Sequence, residues 1–136
     1  MKNNLKLEKS KKDHATVKDA IFDIDNKYKR GENDHQWPNF TTIHKYEEYY
    51  RTNKFGWYKL KWDDPAPSFG NVMKTYTLHP NGKRVVSVRE VMSIMGFPET
   101  FKFPEKMGHT KKYQMVADVV SPIFSEVCAN IIKEMI

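Results

Sequence analysis

The chain has 136 residues, and its 23 Lys and Arg outnumber its 17 Asp and Glu for a formal charge of +6. That length fits one compact domain, and the basic excess favours polyanionic partners, because each phosphate neutralised by Lys or Arg releases counterions. One cysteine, Cys128, and five histidines without ligand spacing exclude an internal disulfide and give no reason to expect a metal site.

Residues 1–13 carry five lysines and few apolar anchors; we expect a basic flexible lead-in over residues 1–14. It lacks the apolar core of a secretory signal. No run approaches the ~20 apolar residues of a membrane span, so the expected setting is cytoplasmic (nuclear in a eukaryote), with no membrane partner. A short helix is predicted over residues 16–24, capped by Thr16, with Asp19 in its first turn. Residues 25–39 read as loop. Residues 42–51 read as a helix. Residues 55–62 alternate aromatic or apolar residues with lysines, which predicts a half-exposed strand. Asp64-Pro65-Ala66-Pro67 is an extended turn, followed by strand-like pieces over residues 68–78 and a turn at Asn81-Gly82.

The second half is more explicit. Ser87-Val88-Arg89-Glu90 fits a capping box, in which serine and glutamate satisfy each other's backbone donors. Val88, Val91, Met92 and Met95 then repeat at helical spacing, Gly96 offers a left-handed stop, and Pro98 forbids continuation. A last helix starts at Ser121 with Pro122 in its first position. Ile123, Phe124, Val127, Cys128, Ile131, Ile132 and Met135 make a continuous apolar stripe along it, and such a stripe needs something to bury against.

Taken singly, these features specify no function; their order does. From Asp64 the chain reads DPAPSF, then LHPNGKRVVSVREVMSIMGFPETFKF, then KKYQMVADVVSP. This resembles the end of a cytosine-5 DNA methyltransferase: the tail of its target-recognition region, then its ninth and tenth motifs. The ninth maps onto Arg84, Val85-Val86, Arg89-Glu90, the apolar helix and Gly96-Phe97-Pro98. The tenth maps onto Tyr113 and Ala117-Asp118-Val119-Val120, with Ala117-Asp118 where the family usually has Gly-Asn. Thr16-Val17-Lys18-Asp19-Ala20-Ile21 is similar to a segment that opens the recognition region in many bacterial members.

The resemblance implies an α+β fold: a small, irregular, mostly-β target-recognition region over residues 15–80, then a helical segment over residues 81–136 whose helices pack on a catalytic domain. It implies double-stranded DNA as partner, with Lys54, Lys59, Lys61 and Ser68 as contacts more to its phosphates than to its bases, Arg84 grouped with them and helping to hold the recognition region, and the aromatic and basic mix from Trp37 to Trp62 as the reading surface. It implies S-adenosylmethionine as cofactor, held mainly elsewhere, with Tyr113, Asp118, Val119 and Val120 forming part of its wall. Arg89, Glu90, Gly96, Phe97 and Pro98 are the structural residues of the ninth motif. The family's nucleophile lies in a Pro-Cys loop; Cys128 follows Val127, and the glycine-rich cofactor loop is not in this sequence. No catalytic residue is therefore expected here, and methyl transfer requires a separate catalytic methyltransferase subunit. The alternatives are a non-catalytic DNA-binding protein and a degenerate gene product, each derived from a methyltransferase.

Overall fold

A computed structural model describes residues 14–39, 58–68 and 70–136. Among these, in chain order, lie α1 (Val17–Ile21), α2 (Ile24–Lys27), β1 (Tyr58–Lys59), α3 (Val72–Thr75), β2 (Thr77–Leu78), α4 (Val88–Ile94), α5 (His109–Ala117) and α6 (Pro122–Met135).

The local causes are legible. The Thr16 hydroxyl accepts from the Asp19 amide, and the Asp19 carboxylate accepts from the Thr16 amide. Two further first-turn donors, the amides of Val17 and Lys18, reach the carbonyls of Asp64 and Trp62, each at 2.9 Å. Val17 and Ile21, one turn apart, turn inward together. At α4 the box predicted at Ser87 and Glu90 has both bonds formed. The helix ends on Gly96 at φ +81°, where the Gly96 amide bonds to Ser93 and the Phe97 amide to Met92. That is the paired closure of a Schellman motif. Asn71 caps α3, and Tyr76 terminates it in the left-handed region.

Helix takes 41% of the described residues and strand 5%, which overturns the expectation of a mostly-β recognition region. Of the predicted strand over residues 55–62, residues 55–57 lie outside the described ones, and among residues 58–62 only Tyr58–Lys59 is strand, paired in parallel with Thr77–Leu78. Of the strand pieces expected over residues 68–78, β2 forms at the end, and α3 takes the stretch before it because Asn71 supplies an N-cap just after Gly70. Pro65 and Pro67 withhold two amide donors that a longer ladder would need. The predicted helix over residues 42–51 lies outside the described residues.

One core joins these elements. Val17, Ile21 and Ile24 meet Leu60, Leu78, Val85, Val88, Val91 and Met92, with Tyr113 and Val116 of α5 against them. Each such side chain contributes about 1.5–3 kcal/mol by burial. By contrast, α6 has no buried residue. A stretch within residues 109–135 is long and apolar enough to cross a membrane, contrary to the reading of the sequence. It is broken, however: α5 stops at Ala117 and α6 restarts at Pro122, and α6 alone is only about 21 Å long at 1.5 Å per residue.

Candidate functional site

The most organised chemistry lies where α4 begins. Ser87 and Glu90 are fully buried, and Arg84 nearly so. Arg84 donates through both terminal nitrogens to the two Glu90 oxygens, each at 2.7 Å, and through Nη2 to Asp25 Oδ1, also at 2.7 Å. Glu90 therefore closes the capping box and neutralises the arginine with one carboxylate. Burial pulls the Arg84 guanidinium down, but Glu90 and Asp25 outweigh it and hold it above its ordinary value. Burial works against the Asp25 carboxylate too; Arg84, then His79 and His35, leave it below the usual range.

Two histidines complete the cluster. His35 Nδ1 lies 2.9 Å from Ser87 Oγ, and its Nε2 lies 3.0 Å from Asp25 Oδ1. His79 accepts from the Asn81 amide at Nδ1 and presents Nε2 to Glu90 Oε1 at 3.7 Å and Asp25 Oδ2 at 4.0 Å. Burial lowers both histidines, against the opposing pull of Glu90, so both are neutral near pH 7.

This arrangement resembles two kinds of active centre and is neither. Ser87, His35 and Asp25 are connected in the order of a hydrolytic triad, yet the serine is sealed from solvent and its oxygen already accepts from the Glu90 amide at 3.1 Å. Asp25, His79 and Glu90 bring three potential metal ligands within 4.8 Å of one another, a grouping that the sequence spacing did not show. The Arg84 guanidinium already bonds two of them, so an ion there would have to displace a cation with ideal partners.

A second buried knot ties α5 to the turn before His35. Asn33 and Asp34 both have positive φ. Asp34 accepts from Lys112 Nζ at 2.7 Å and from the Phe103 amide at 2.9 Å. Arg89 donates Nε to the Asn33 carbonyl at 2.8 Å and approaches Asp34 at 3.5 Å. Tyr113 donates to the Val86 carbonyl at 2.7 Å, and burial raises its phenol well above the ordinary value. A groove of about 370 Å³ runs past Asp34, Gln36, Lys102 and Lys112, but Asp34 and Lys112 already satisfy each other there. Among the described residues no buried side-chain nitrogen or oxygen lacks a partner.

The expected site residues thus divide. Arg84, Arg89, Glu90 and Tyr113 are internal ties, and the Arg84 guanidinium faces carboxylates where a DNA contact was expected. Lys59, Lys61 and Ser68 are exposed, with Lys61 in a loose ion pair with Asp64 at 3.6 Å. Lys54 lies outside the described residues. Asp118, Val119 and Val120 are exposed at the end of α5, and Asp118 accepts from Gln114 at 2.8 Å. Gly96, Phe97 and Pro98 shape the end of α4. The sequence reading missed Asp25, Asp34, His35 and Lys112, whose partners stand 10 to 78 positions away. In the sequence, Gly31, Asn33 and Pro38 marked that stretch only as loop.

Among the described residues, buried charged groups pair with one another to fix the fold, and α6 turns apolar side chains outward. The family model for C-5 cytosine-specific DNA methylases matches residues 2–136, and the chain belongs to that family. It is 33% identical over 92 residues to a candidate type II methyltransferase of Oceanobacillus iheyensis, covering 64% of this chain and 20% of that protein. With a type II methyltransferase of Bacillus paralicheniformis it shares 32% over 85 residues, 58% of this chain and 19% of the relative. With one of Thalassovita gelatinovora the figures are 30% over 78 residues, 55% and 18%. The chain thus matches about a fifth of the length of these relatives. No solved structure matches it.

Proposed function

We propose that this chain is the DNA-recognition part of a cytosine-5 DNA methyltransferase, working with a catalytic chain that transfers a methyl group from S-adenosylmethionine to cytosine C5. The observation that carries this reading is the exposed apolar side of α6. Ile123, Phe124, Ile132 and Met135 are each more than half exposed, an arrangement that marks a protein-facing surface. The resemblance read from the sequence gives the proposed partner its chemistry: a Pro-Cys nucleophile and a cofactor loop, neither of which is in these 136 residues. Under this reading residues 15–80 form the recognition region and residues 81–136 the supporting segment, joined by the Arg84–Asp25 and Lys112–Asp34 ties.

For the cofactor, the fit is partial. Tyr113 is held inward by Val86 and Gln36 and has no free hydroxyl to offer. The exposed Asp118 carboxylate suits the ammonium of S-adenosylmethionine, and Val119 and Val120 suit an apolar edge, so these three can line one side of a pocket whose remainder lies on the catalytic chain. The cofactor supplies the methyl group; this chain's part is to present DNA. Exposed Lys59, Lys61 and Ser68 suit phosphate oxygens, which position a duplex without reading it.

The test is reconstitution. The purified chain alone should transfer no methyl groups to duplex DNA, and adding a catalytic methyltransferase chain that lacks its own recognition region should produce bisulfite-resistant cytosines. Methyl transfer by the purified chain alone overturns the proposal.

A further inference from the structure

Two guanidinium groups stack on Trp37. Arg84 lies 4.4 Å from its ring centroid and Arg30 lies 4.7 Å from it. Arg84 is buried whereas Arg30 is exposed, so the indole connects the buried cluster to an exposed arginine. Arg30 does more than stack: its Nη2 donates to the Trp37 carbonyl at 2.8 Å and to Asn39 Oδ1 at 2.7 Å. His35 meets the same ring edge-on at 5.0 Å.

The Arg84 contact is rigid because Arg84 is fixed by Glu90 and Asp25. The residues leading up to Trp37 are fixed as well. The Gln36 carbonyl accepts from the Val88 amide and from Tyr113, and the His35 carbonyl accepts from the Gly31 amide. Beyond Gln36, Arg30 tethers the chain through the Trp37 carbonyl and the Asn39 side chain. From Asn39 the chain continues toward Lys54, the Tyr-rich segment and Trp57, where base-reading residues are expected.

We propose that Arg30 is a positioning residue for DNA recognition: through Trp37 and Asn39 it fixes the direction in which the chain leaves the Arg84–Glu90 cluster. This rests on the recognition reading above, and it assigns Arg30 an indirect part, acting through the main chain rather than by touching DNA. The planar, forked guanidinium is what the geometry uses, since it stacks on the ring and bonds two oxygens at once; an ammonium cannot do both.

Two measurements test it. In the full chain, Arg30→Ala should raise hydrogen–deuterium exchange at the Trp37 and Asn39 amides, the two that flank Pro38, by at least tenfold while residues 85–95 keep their protection, and Arg30→Lys should recover only part of the difference. Unchanged exchange at these two amides overturns the proposal whatever the chain binds. The second measurement uses the chain with its catalytic partner and two probes: duplexes selected by the wild-type assembly from a randomised pool, and the unselected pool. Arg30→Ala should weaken binding to the selected duplexes about tenfold and to the unselected pool less than twofold. An equal loss on both would make Arg30 a phosphate contact, and no loss on either would make it a structural brace alone; both results overturn the assignment. Failure of the wild-type assembly to enrich any sequence would instead count against the recognition reading, leaving the exchange experiment to decide the clamp.

Discussion

Glu90 is the side chain on which the most depends. It is wholly buried, closes the α4 cap and accepts both forks of Arg84. Glu90→Gln keeps the size but turns an amide donor toward a guanidinium. Breaking one side of a buried ion pair costs about 3–5 kcal/mol, a large part of the ~5–15 kcal/mol that holds a small domain together. Urea denaturation should show this loss, and Arg84→Met added to Glu90→Gln should recover part of it because the orphaned charge is gone. A cost near zero for Glu90→Gln alone would mean that the pair is not closed as described. His35 and His79 give the same cluster a pH dependence. Burial lowers both below the ordinary value of 6.5, so as the pH falls past that value the unfolded chain takes up protons that the folded chain refuses. Stability is then fully present above about pH 6.5 and declines on acidification until the folded histidines protonate. The depressed Asp25 carboxylate extends the decline below its ordinary 3.8. Urea midpoints should fall from pH 7.5 to 5.5, and His79→Gln should flatten that slope; an unaltered slope in the variant would remove His79 from the account.

At the scale of elements, α4 shows how far local chemistry reaches. Its cap, apolar face and stop were all legible, because each depends on residues within four positions of one another. Gly96 carries a further role that the sequence could not express. A Cβ placed there would come within 2.5 Å of Ile123 Cδ1 and 2.8 Å of Cγ1, so the glycine both completes the α4 stop and admits the start of α6. Gly96→Ala should cost about 1–2 kcal/mol for the left-handed backbone, with a smaller addition from the overlap, since the isoleucine tip can rotate away. Ile123→Ala in the same chain should restore only that smaller part. Full restoration would show that the backbone conformation is not the constraint. The strand readings failed for the opposite reason. Alternation over residues 55–62 specifies a face but not a partner, and the partner, residues 77–78, offers only two positions before the turn at His79. α5 was not foreseen because its inward face includes Lys112, a charged residue whose acceptor, Asp34, is 78 positions away. The candidate site followed the same rule. The residues of the ninth motif could be named from the sequence, whereas the carboxylates and histidine that hold them could be found only in three dimensions.

The described residues divide between an interior in which every buried charge has a partner and an outer helix that meets the rest of the fold at its start and leaves most of its apolar side exposed. α6 has no buried residue among its 14, and Met115, Val119 and Val120 carry the same exposed apolar character back into α5. Single changes on this surface should leave the chain's own stability within about 0.5 kcal/mol, because they remove no internal contact. Phe124→Asp and Ile132→Asp, both at positions more than half exposed, isolate that distinction. If α6 is the seat for a catalytic chain, each carboxylate must be desolvated on docking, and interface anchors of this kind dominate affinity. Each variant should keep the wild-type urea midpoint while binding to the catalytic chain weakens at least tenfold, a loss of about 1.4 kcal/mol. Urea denaturation of each variant and titration of the two chains would read both quantities from the same preparations. Should either aspartate unfold the isolated chain, α6 packs on its own fold and the exposed face described here is wrong. Should both variants bind and methylate as wild type does, the catalytic chain docks elsewhere, and the apolar stripe must be explained by another partner.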